Sequence, residues 1–128
     1  MRLLLDTHAF VWAVADSGKL SKGASEAIRS ADSELFLSSA VAWELATKYR
    51  IGKFPQAESI IEQYGLLAED LVARHLPITP EHALRAGAMP VDHRDPFDRV
   101  LAAQAQIEGL QLITLDPAFG QFDVKVVW

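Results

Sequence analysis

Four carboxylates map to one predicted place in the fold, the carboxyl edge of a parallel sheet: Asp6, Glu44, Asp98 and Asp116. Asp6 and Asp116 each end a short apolar run that is typical of a strand. Asp98 lies in the opening turn of a predicted helix, and Glu44 lies in the second turn of another. Because strand carboxyl ends and the following helix N-termini meet at one edge, we expect these side chains to converge there.

Converging carboxylates repel one another, because each raises the free energy of its neighbour's ionised form. Such a cluster persists in a folded protein when a cation compensates its charge. Oxygen ligands without histidine or cysteine favour Mg²⁺ or Mn²⁺ over zinc. An ion of this kind lowers the pKa of a bound water and orients it towards a phosphodiester. The four acids therefore indicate the chemistry of a metal-dependent nuclease.

Helix capping and ion pairing offer these acids an alternative role. Asp6 and Asp116 precede predicted helical starts, where a carboxylate accepts hydrogen bonds from free backbone N–H groups. Residues Asp95 to Asp98 resemble a capping box with Asp in place of the usual Glu. Glu44 stands four residues before Lys48, which is the spacing of a surface ion pair. These roles explain the acids singly, but they do not explain why all four map to one edge.

The elements that must position the acids alternate between strands and helices. Apolar runs predict strands at residues 3–5, 35–37, 112–113 and 124–127, with 76–78 a weaker candidate. Helical patterns cover residues 8–15, 22–30, 40–50, 81–86 and 96–108, and a helical pair is predicted across 57–73. Strands separated by helices predict an α/β fold, a three-layer sandwich whose central, mostly parallel sheet is flanked by helices.

Composition narrows the remaining possibilities. The chain has 128 residues, 50% of them hydrophobic, and no repeat or linker, which predicts a single domain over residues 1–128. The absence of cysteine excludes disulfides, zinc–thiolate sites and a thiol nucleophile. No apolar stretch reaches the roughly 20 residues of a membrane span, so we expect a cytoplasmic protein without membrane contact. With a net charge of −5, nucleic-acid binding would need a local basic patch or a metal ion.

Longer stretches of the sequence resemble a known family. They are LLLDTHAFVWAVAD, SSAVAWELATKYRIGKF, LPITPEHALRAGAMP and HRDPFDRVLAAQAQIEGLQLITLDPAF. Together they resemble the PIN-domain ribonucleases, specifically the VapC-type toxins of bacterial toxin–antitoxin modules, from Met1 to Trp128. The most specific piece is HRDPFDRVLAAQA followed by LITLD. Related sequences often have a second histidine where this chain has Asp92, which adds a negative charge beside the predicted site.

The resemblance implies four catalytic residues: Asp6, Glu44, Asp98 and Asp116. Asp6 and Asp98 would hold Mg²⁺ or Mn²⁺, and the other two would hold a second ion or complete its outer shell. Asp95 matches a family position with a capping or outer-shell role. Thr7 and Thr114 match small hydroxyl positions that could orient ligands or water.

Three basic residues and a tyrosine supply candidate contacts to RNA: Lys48, Arg50, Arg94 and Tyr49. They could hold a phosphate backbone by charge and stack a base on the tyrosine, or they form an ordinary solvated helix end and loop. Arg99, beside Asp98, either contacts RNA or pairs with a neighbouring acid. His8 is expected at a helix start. His93 either contacts substrate phosphate or lies in a solvated loop, and we expect the loop. The large aromatic residues are expected in the core: Phe10, Trp12, Phe36 and Trp43.

The resulting hypothesis is the toxin of a toxin–antitoxin module, a Mg²⁺- or Mn²⁺-dependent endoribonuclease. It would cut RNA, such as tRNA or another structured RNA, to leave 5′-phosphate and 3′-hydroxyl ends. The resemblance also implies a VapB-type antitoxin as partner and a homodimer. One alternative is a catalytically inactive PIN-like module that binds RNA or protein. Another is a phosphotransfer domain with an Asp nucleophile, which is disfavoured because Asp6 lacks a second Asp two positions later.

Overall fold

A five-stranded sheet forms the centre of the molecule in the computed structural model, which describes all 128 residues. The strands are β1 (Arg2–Leu5), β2 (Glu34–Ser38), β3 (Ala73–Leu76), β4 (Gln111–Ile113) and β5 (Val126–Val127). Their order is β3-β2-β1-β4-β5, and every neighbouring pair is parallel. The central strand β1 is apolar because it is buried on both faces, and its three leucines are fully buried. The predicted α/β fold with a parallel sheet is confirmed.

Seven helices flank the sheet: α1 (Thr7–Ala15), α2 (Lys22–Arg29), α3 (Ser39–Arg50), α4 (Glu58–Glu62), α5 (Tyr64–Asp70), α6 (Pro80–Ala88) and α7 (Pro96–Glu108). Short 3₁₀ turns occupy Ser17–Lys19, Pro55–Ala57 and Pro117–Gln121. The longer helices begin at side-chain caps, which are Asp6 for α1 and Asp95 for α7, as predicted, and Ser38 for α3. None of the helices is long and apolar enough to cross a membrane.

The predicted capping box at the start of α7 is wrong in one respect. Asp95 caps the helix alone, because its Oδ1 accepts hydrogen bonds from the N–H groups of Phe97 (2.9 Å) and Asp98 (3.1 Å). The Asp98 carboxylate binds His93 and does not bond back to the cap. The Asp98 carboxylate is therefore not used for capping and can bind other groups at the carboxyl edge of the sheet.

The third strand lies earlier than predicted, and the helical pair before it is shorter. Helix α5 ends at Asp70, and the chain turns at Val72 so that Ala73 pairs with Leu35. The strand then ends before Pro77, which has no N–H group for the ladder. The last strand, β5, has two residues of the four predicted.

Two of the four aromatic residues expected in the core are buried, one is half-buried and one is exposed. Phe10 is fully buried and Phe36 is buried, while Trp12 is half-buried. Trp43, however, is 51% exposed, and its ring meets the edge of Phe97 at 4.6 Å between centroids. The prediction of a core position for Trp43 was therefore wrong, because α3 turns this side chain to the surface beside the N-terminus of α7.

The turn after α5 stores backbone strain at an exposed residue. Val72 has φ +55°, the left-handed conformation that helix ends usually give to glycine, as α7 does with Gly109 at φ +66°. A β-branched residue there costs roughly 1–3 kcal/mol, and the side chain of Val72 is 82% exposed, so little packing is lost when it is removed. We expect Val72→Gly to raise the free energy of unfolding by about 1 kcal/mol, after allowance for the entropy of glycine.

Chemical denaturation of Val72→Gly and Val72→Ala measures this strain. The alanine variant keeps Cβ but removes the branch, so it should gain less than the glycine variant. A glycine variant that is less stable than the wild type would show that Val72 makes contacts outweighing its strain.

Candidate metal and active site

The structure brings the four predicted acids to one small cavity at the carboxyl edge of the sheet. The cavity has a volume of about 80 Å³ and no hydrophobic side chain in its lining. Its walls comprise Asp6, Thr7, His8, Glu44, Lys48, Asp95, Asp98 and Asp116. Five carboxylates therefore face one lysine and one histidine in a space the size of a few water molecules.

Capping and clustering turn out to be compatible roles for the aspartates. Asp6 follows β1, and its Oδ1 accepts the N–H of Ala9 at 2.7 Å. Asp116 follows β4, and its Oδ1 accepts the N–H of Ala118 at 2.9 Å. Asp95 also caps through Oδ1. In each case Oδ2 is not needed for the cap, so the alternatives raised by the sequence hold at the same time.

The glutamate is held from both sides within the cavity. Glu44 is 5% exposed; its Oε1 accepts the hydroxyl of Thr7 at 2.5 Å, and its Oε2 accepts Nζ of Lys48. Burial lowers the pKa of Lys48, but the hydrogen bond and the charge of Glu44 outweigh it and leave this pKa above its usual value. The lysine therefore remains positively charged, and the two form a partly buried pair in place of the surface pair that the spacing suggested.

The two aspartates predicted to hold metal have raised pKa values. Burial raises the pKa of Asp98 to about 6, although Nε2 of His93 donates to its Oδ2 at 2.8 Å. Burial also raises the pKa of Asp6, although the hydroxyl of Thr114 and the N–H of Ala9 both donate to it. The Thr114 hydroxyl oxygen in turn accepts the N–H of Asp116 at 3.0 Å, so this threonine links two of the acids. In the absence of a cation, the ionised form of each of these two aspartates is therefore higher in free energy than it would be in water.

The donor set fits a hard divalent cation with few protein ligands. As placed, no three histidine or acidic side chains are close enough together to bind one ion. Mg²⁺, however, is commonly bound by one or two carboxylates, with waters and substrate phosphates completing the octahedron. Asp6 and Asp98 supply two such carboxylates, and neither cysteine nor a histidine pair competes for a softer metal. The residues present therefore suit Mg²⁺ or Mn²⁺.

Several predicted RNA contacts lie away from the acidic cavity. Of the four basic-patch residues, Lys48 alone lines it. Tyr49 faces Glu58, whose charge raises the pKa of its hydroxyl. Arg94 is exposed and lines an apolar cavity with Trp43. The structure thus separates the patch into one residue within the site and others outside it, Arg50 among them.

Arg99 has a different environment from either of the two predicted. Its Nε donates to the carbonyl of Ala86 (2.8 Å) and its Nη2 to that of Met89 (2.7 Å). Its Nη1 donates to the carbonyls of Val91 (2.8 Å) and His93 (2.9 Å). Arg99 neither pairs with an acid nor offers its guanidinium to a phosphate. Through these hydrogen bonds Arg99 holds the loop that carries His93 and Asp95 against the first turn of α7.

Sequence reasoning missed the part that His93 has in the site. This residue was expected in a solvated loop, yet it contacts Asp98 and packs edge-on against Phe122 at 5.7 Å between ring centroids. The signal that could have found it is its position two residues before the N-cap Asp95, because a chain entering a helix there passes over the first helical turn. His8, expected at a helix start, lies there and also lines the cavity.

Metal affinity should depend on pH through Asp98. Because its pKa is raised to about 6, this carboxyl is protonated below that pH, and a cation must then displace the proton. We expect the Kd for Mn²⁺ to rise about tenfold between pH 7 and pH 5. Calorimetry in buffers of different ionisation enthalpy should detect about one proton released per ion at pH 5. If the affinity for Mn²⁺ stays the same from pH 7 down to pH 4.5, Asp98 is not a ligand of the ion.

Comparison with known proteins adds independent information about the chain. The PIN domain family model matches residues 3–125. The chain is 37% identical over 116 residues to Ribonuclease VapC22 of Mycobacterium tuberculosis (strain ATCC 25618 / H37Rv), covering 89% of this chain and 86% of that protein.

Solved structures are similar in fold at lower identity. VapBC2 from Rickettsia felis, bound to a DNA fragment from its promoter, has a TM-score of 0.66 at 16% identity and covers 98% of this chain and 97% of that one. VapBC-1 from nontypeable Haemophilus influenzae has a TM-score of 0.57 at 20% identity, with coverages of 98% and 96%. These similarities establish the same arrangement of strands and helices.

Proposed function

This chain belongs to the PIN domain family and is of the VapC type, and from this premise we propose that it is a Mg²⁺- or Mn²⁺-dependent endoribonuclease toxin. The observation that carries the proposal is the polar cavity, which carboxylates from four separate elements line and in which Asp6 and Glu44 are buried. Buried like charges are costly unless a cation or a proton compensates them. The fold therefore maintains an arrangement that a divalent cation would stabilise.

The proposed metal ligands are Asp6 and Asp98. A divalent cation, when bound, supplies Lewis-acid polarisation of the phosphate and a water of lowered pKa. Asp6 is fixed by the cap of α1 and by Thr114, and Asp98 is fixed by His93. Each carboxylate is thus held in one orientation before substrate arrives, which lowers the cost of organising the site.

Glu44 and Lys48 act together on the attacking water and the phosphate. Thr7 and Lys48 each hold one oxygen of Glu44, and a carboxylate has further lone pairs with which it can accept a water proton. Lys48 uses one N–H on Glu44, which leaves two for a phosphate oxygen. Asp116, with Oδ2 free of its cap, completes the acidic wall. In-line attack by water would leave a 5′-phosphate and a 3′-hydroxyl.

The substrate and partners follow from the relatives. We propose RNA as substrate, because the 37%-identical relative is named a ribonuclease. The narrower class, tRNA or another structured RNA, is proposed from the family resemblance alone. We propose a VapB-type antitoxin as partner, because the structures similar in fold are VapBC assemblies. A homodimer is proposed from the family resemblance alone.

A second candidate function rests on the hydrogen bonds within the cavity. Glu44 is satisfied by Thr7 and Lys48, and Asp98 by His93, so these acids have partners without any metal. A chain in which those partners are never displaced would be a PIN-like module that binds RNA or protein without cutting it.

Cleavage of a cellular RNA pool by the purified protein tests the proposal. We expect cuts with Mg²⁺ or Mn²⁺ that disappear with chelator, and new 5′ ends that ligate directly because they carry a phosphate. Cuts that persist in chelator, or 2′,3′-cyclic phosphate ends, would contradict the mechanism. No cleavage at saturating Mn²⁺ would favour the binding module.

A further inference from the structure

A second cavity opens beside the acidic one and shares part of its wall. It has a volume of about 330 Å³, and its lining comprises Asp6, His8, Trp12, Leu115, Asp116 and Pro117. Three of these, Asp6, His8 and Asp116, line the acidic cavity as well. The two cavities therefore adjoin, and the residues that line only the second one have no part in the proposed hydrolysis of a phosphodiester.

The side chains of this second cavity form a fixed aromatic and apolar surface. The rings of His8 and Trp12 lie 5.5 Å apart, and Trp12 is held from behind by an edge contact with Trp128 at 5.8 Å. Leu115 is 56% exposed, although it is a large apolar residue, and Pro117 is exposed beside it. Rigid aromatic and apolar walls suit a planar ring, which can stack on them at small entropic cost.

The charge of the cavity selects among the parts of a nucleotide. The carboxylates of Asp6 and Asp116 stand where the cavity meets the acidic one, and they disfavour a phosphate group within it. Oδ2 of Asp116 can accept a hydrogen bond, because the cap uses only Oδ1. A ring with an N–H group at its edge suits both the apolar walls and this acceptor.

We infer that this cavity, the base cavity, holds one unpaired nucleobase of the nucleotide next to the bond that is cut. The inference rests on the proposed function and deepens it by assigning a second site, which binds a base, beside the acidic cavity. A base enters such a cavity only when it is unstacked and unpaired. The nucleotide whose base occupies the cavity is therefore unpaired while the RNA is bound.

Short RNAs with and without bases test the base cavity separately from charge. The probes are fluorescein-labelled seven-nucleotide homopolymers of A, C and U, and a seven-nucleotide RNA backbone whose residues are all abasic. Ca²⁺ replaces Mn²⁺ in the binding assay, because it takes oxygen ligands in a more flexible geometry. We expect the full-length protein to bind at least one homopolymer about fivefold or more tightly than the abasic backbone. Because all the probes carry equal charge, this ratio should not change with salt.

Variants locate the effect. Leu115→Ala and His8→Ala should each bring the ratio towards one, while Leu84→Ala, which removes a leucine 74% exposed on α6, should leave it unchanged. Equal binding of homopolymers and abasic backbone by the wild type, or a full ratio in both cavity variants, would overturn the inference. The same holds if the two cavity variants weaken binding of a protein partner only, because the occupant would then be a peptide side chain.

The outcome for the base cavity is distinguishable from that for the proposed function. Metal-dependent cleavage with a ratio of one would leave the nuclease standing and remove the base cavity. A ratio that depends on Leu115, without any cleavage, would remove the nuclease and leave a base-binding site. The absence of both binding and cleavage would overturn both.

Discussion

Replacing Asp98 with Asn should abolish metal-dependent RNA cleavage while making the metal-free protein more stable at pH 7. The substitution removes one of the two proposed metal-binding carboxylates but keeps an oxygen that can accept the hydrogen bond from His93. We expect cleavage to fall by about 10³-fold or more, since outer-shell substitutions alone commonly cost 10- to 100-fold.

The gain in stability follows from the raised pKa of Asp98. In the folded protein this carboxyl ionises at about pH 6, whereas its unperturbed value is 3.8. The unfolded chain therefore releases this proton first, and the folded state loses stability as the pH rises from about 4 to about 6. Above pH 6 the penalty is complete and amounts to about 1–3 kcal/mol, because solvent screening weakens it for a carboxyl that is only partly buried. The neutral amide of Asn does not ionise and so does not lose this stability. Asp98→Asn should therefore melt several degrees higher than the wild type in chelator at pH 7.

Thermal melts with chelator and with Mn²⁺ measure this prediction beside the cleavage assay. Mn²⁺ should raise the melting temperature of the wild type and leave that of Asp98→Asn unchanged. The matched control is Asp32→Asn, an exposed aspartate in the turn before β2, which should change neither melting temperature nor cleavage. An Asp98→Asn protein that still cuts RNA at near wild-type rate would remove Asp98 from the site.

Replacing Arg99 with Lys should loosen the loop that leads into α7 and carries His93 and Asp95, even though the positive charge is kept. The guanidinium donates to four backbone carbonyls between Ala86 and His93, and an ammonium group cannot reproduce that planar fork. Hydrogen bonds from charged groups contribute about 1.5–3 kcal/mol each. Because the lysine keeps some of these hydrogen bonds, we expect the free energy of unfolding to fall by about 3 kcal/mol in total. Displacement of the loop that carries His93 and Asp95 should lower cleavage by about 10²-fold.

Hydrogen exchange distinguishes this positioning role from an RNA contact. The amides of residues 89–95 should exchange faster in Arg99→Lys, without RNA present. Arg94→Lys, an exposed neighbour without hydrogen-bond partners, is the control and should change stability by less than about 0.5 kcal/mol. A stable Arg99→Lys protein with unchanged exchange but weaker, more salt-sensitive RNA binding would assign Arg99 to the phosphate backbone.

The predictable part of the fold is the part encoded locally. Apolar runs locate β1, β2 and β4, and the signal Asp95-Pro96 locates the start of α7 to the residue. The strand β3 was misplaced because its position depends on the turn at Val72, whose left-handed backbone no propensity predicts for a valine. Its side chains are also half-buried or exposed, so they lack the apolar signature of the central strands.

The acids of the site were predictable for a different reason from their partners. Each acid follows a strand or opens a helix, and topology carries those positions to one edge. The partners depend on tertiary geometry: His93 reaches Asp98 because the loop folds back, and Arg99 turns inward because four carbonyls converge on it. Trp43 was expected in the core because its type suggests burial, but the face of α3 that it occupies is exposed. In a helix without a clear division into an apolar and a polar face, residue type alone does not show which side chains face the core.

Anomalous diffraction from crystals of the protein soaked in Mn²⁺ tests whether the acidic cavity is a divalent-cation site. We expect a manganese peak within coordination distance of carboxylate oxygens of both Asp6 and Asp98, and no peak there in Asp98→Asn crystals. A well-ordered cavity that stays empty at millimolar Mn²⁺, with Glu44 still bound to Lys48 and Asp98 to His93, would contradict this expectation.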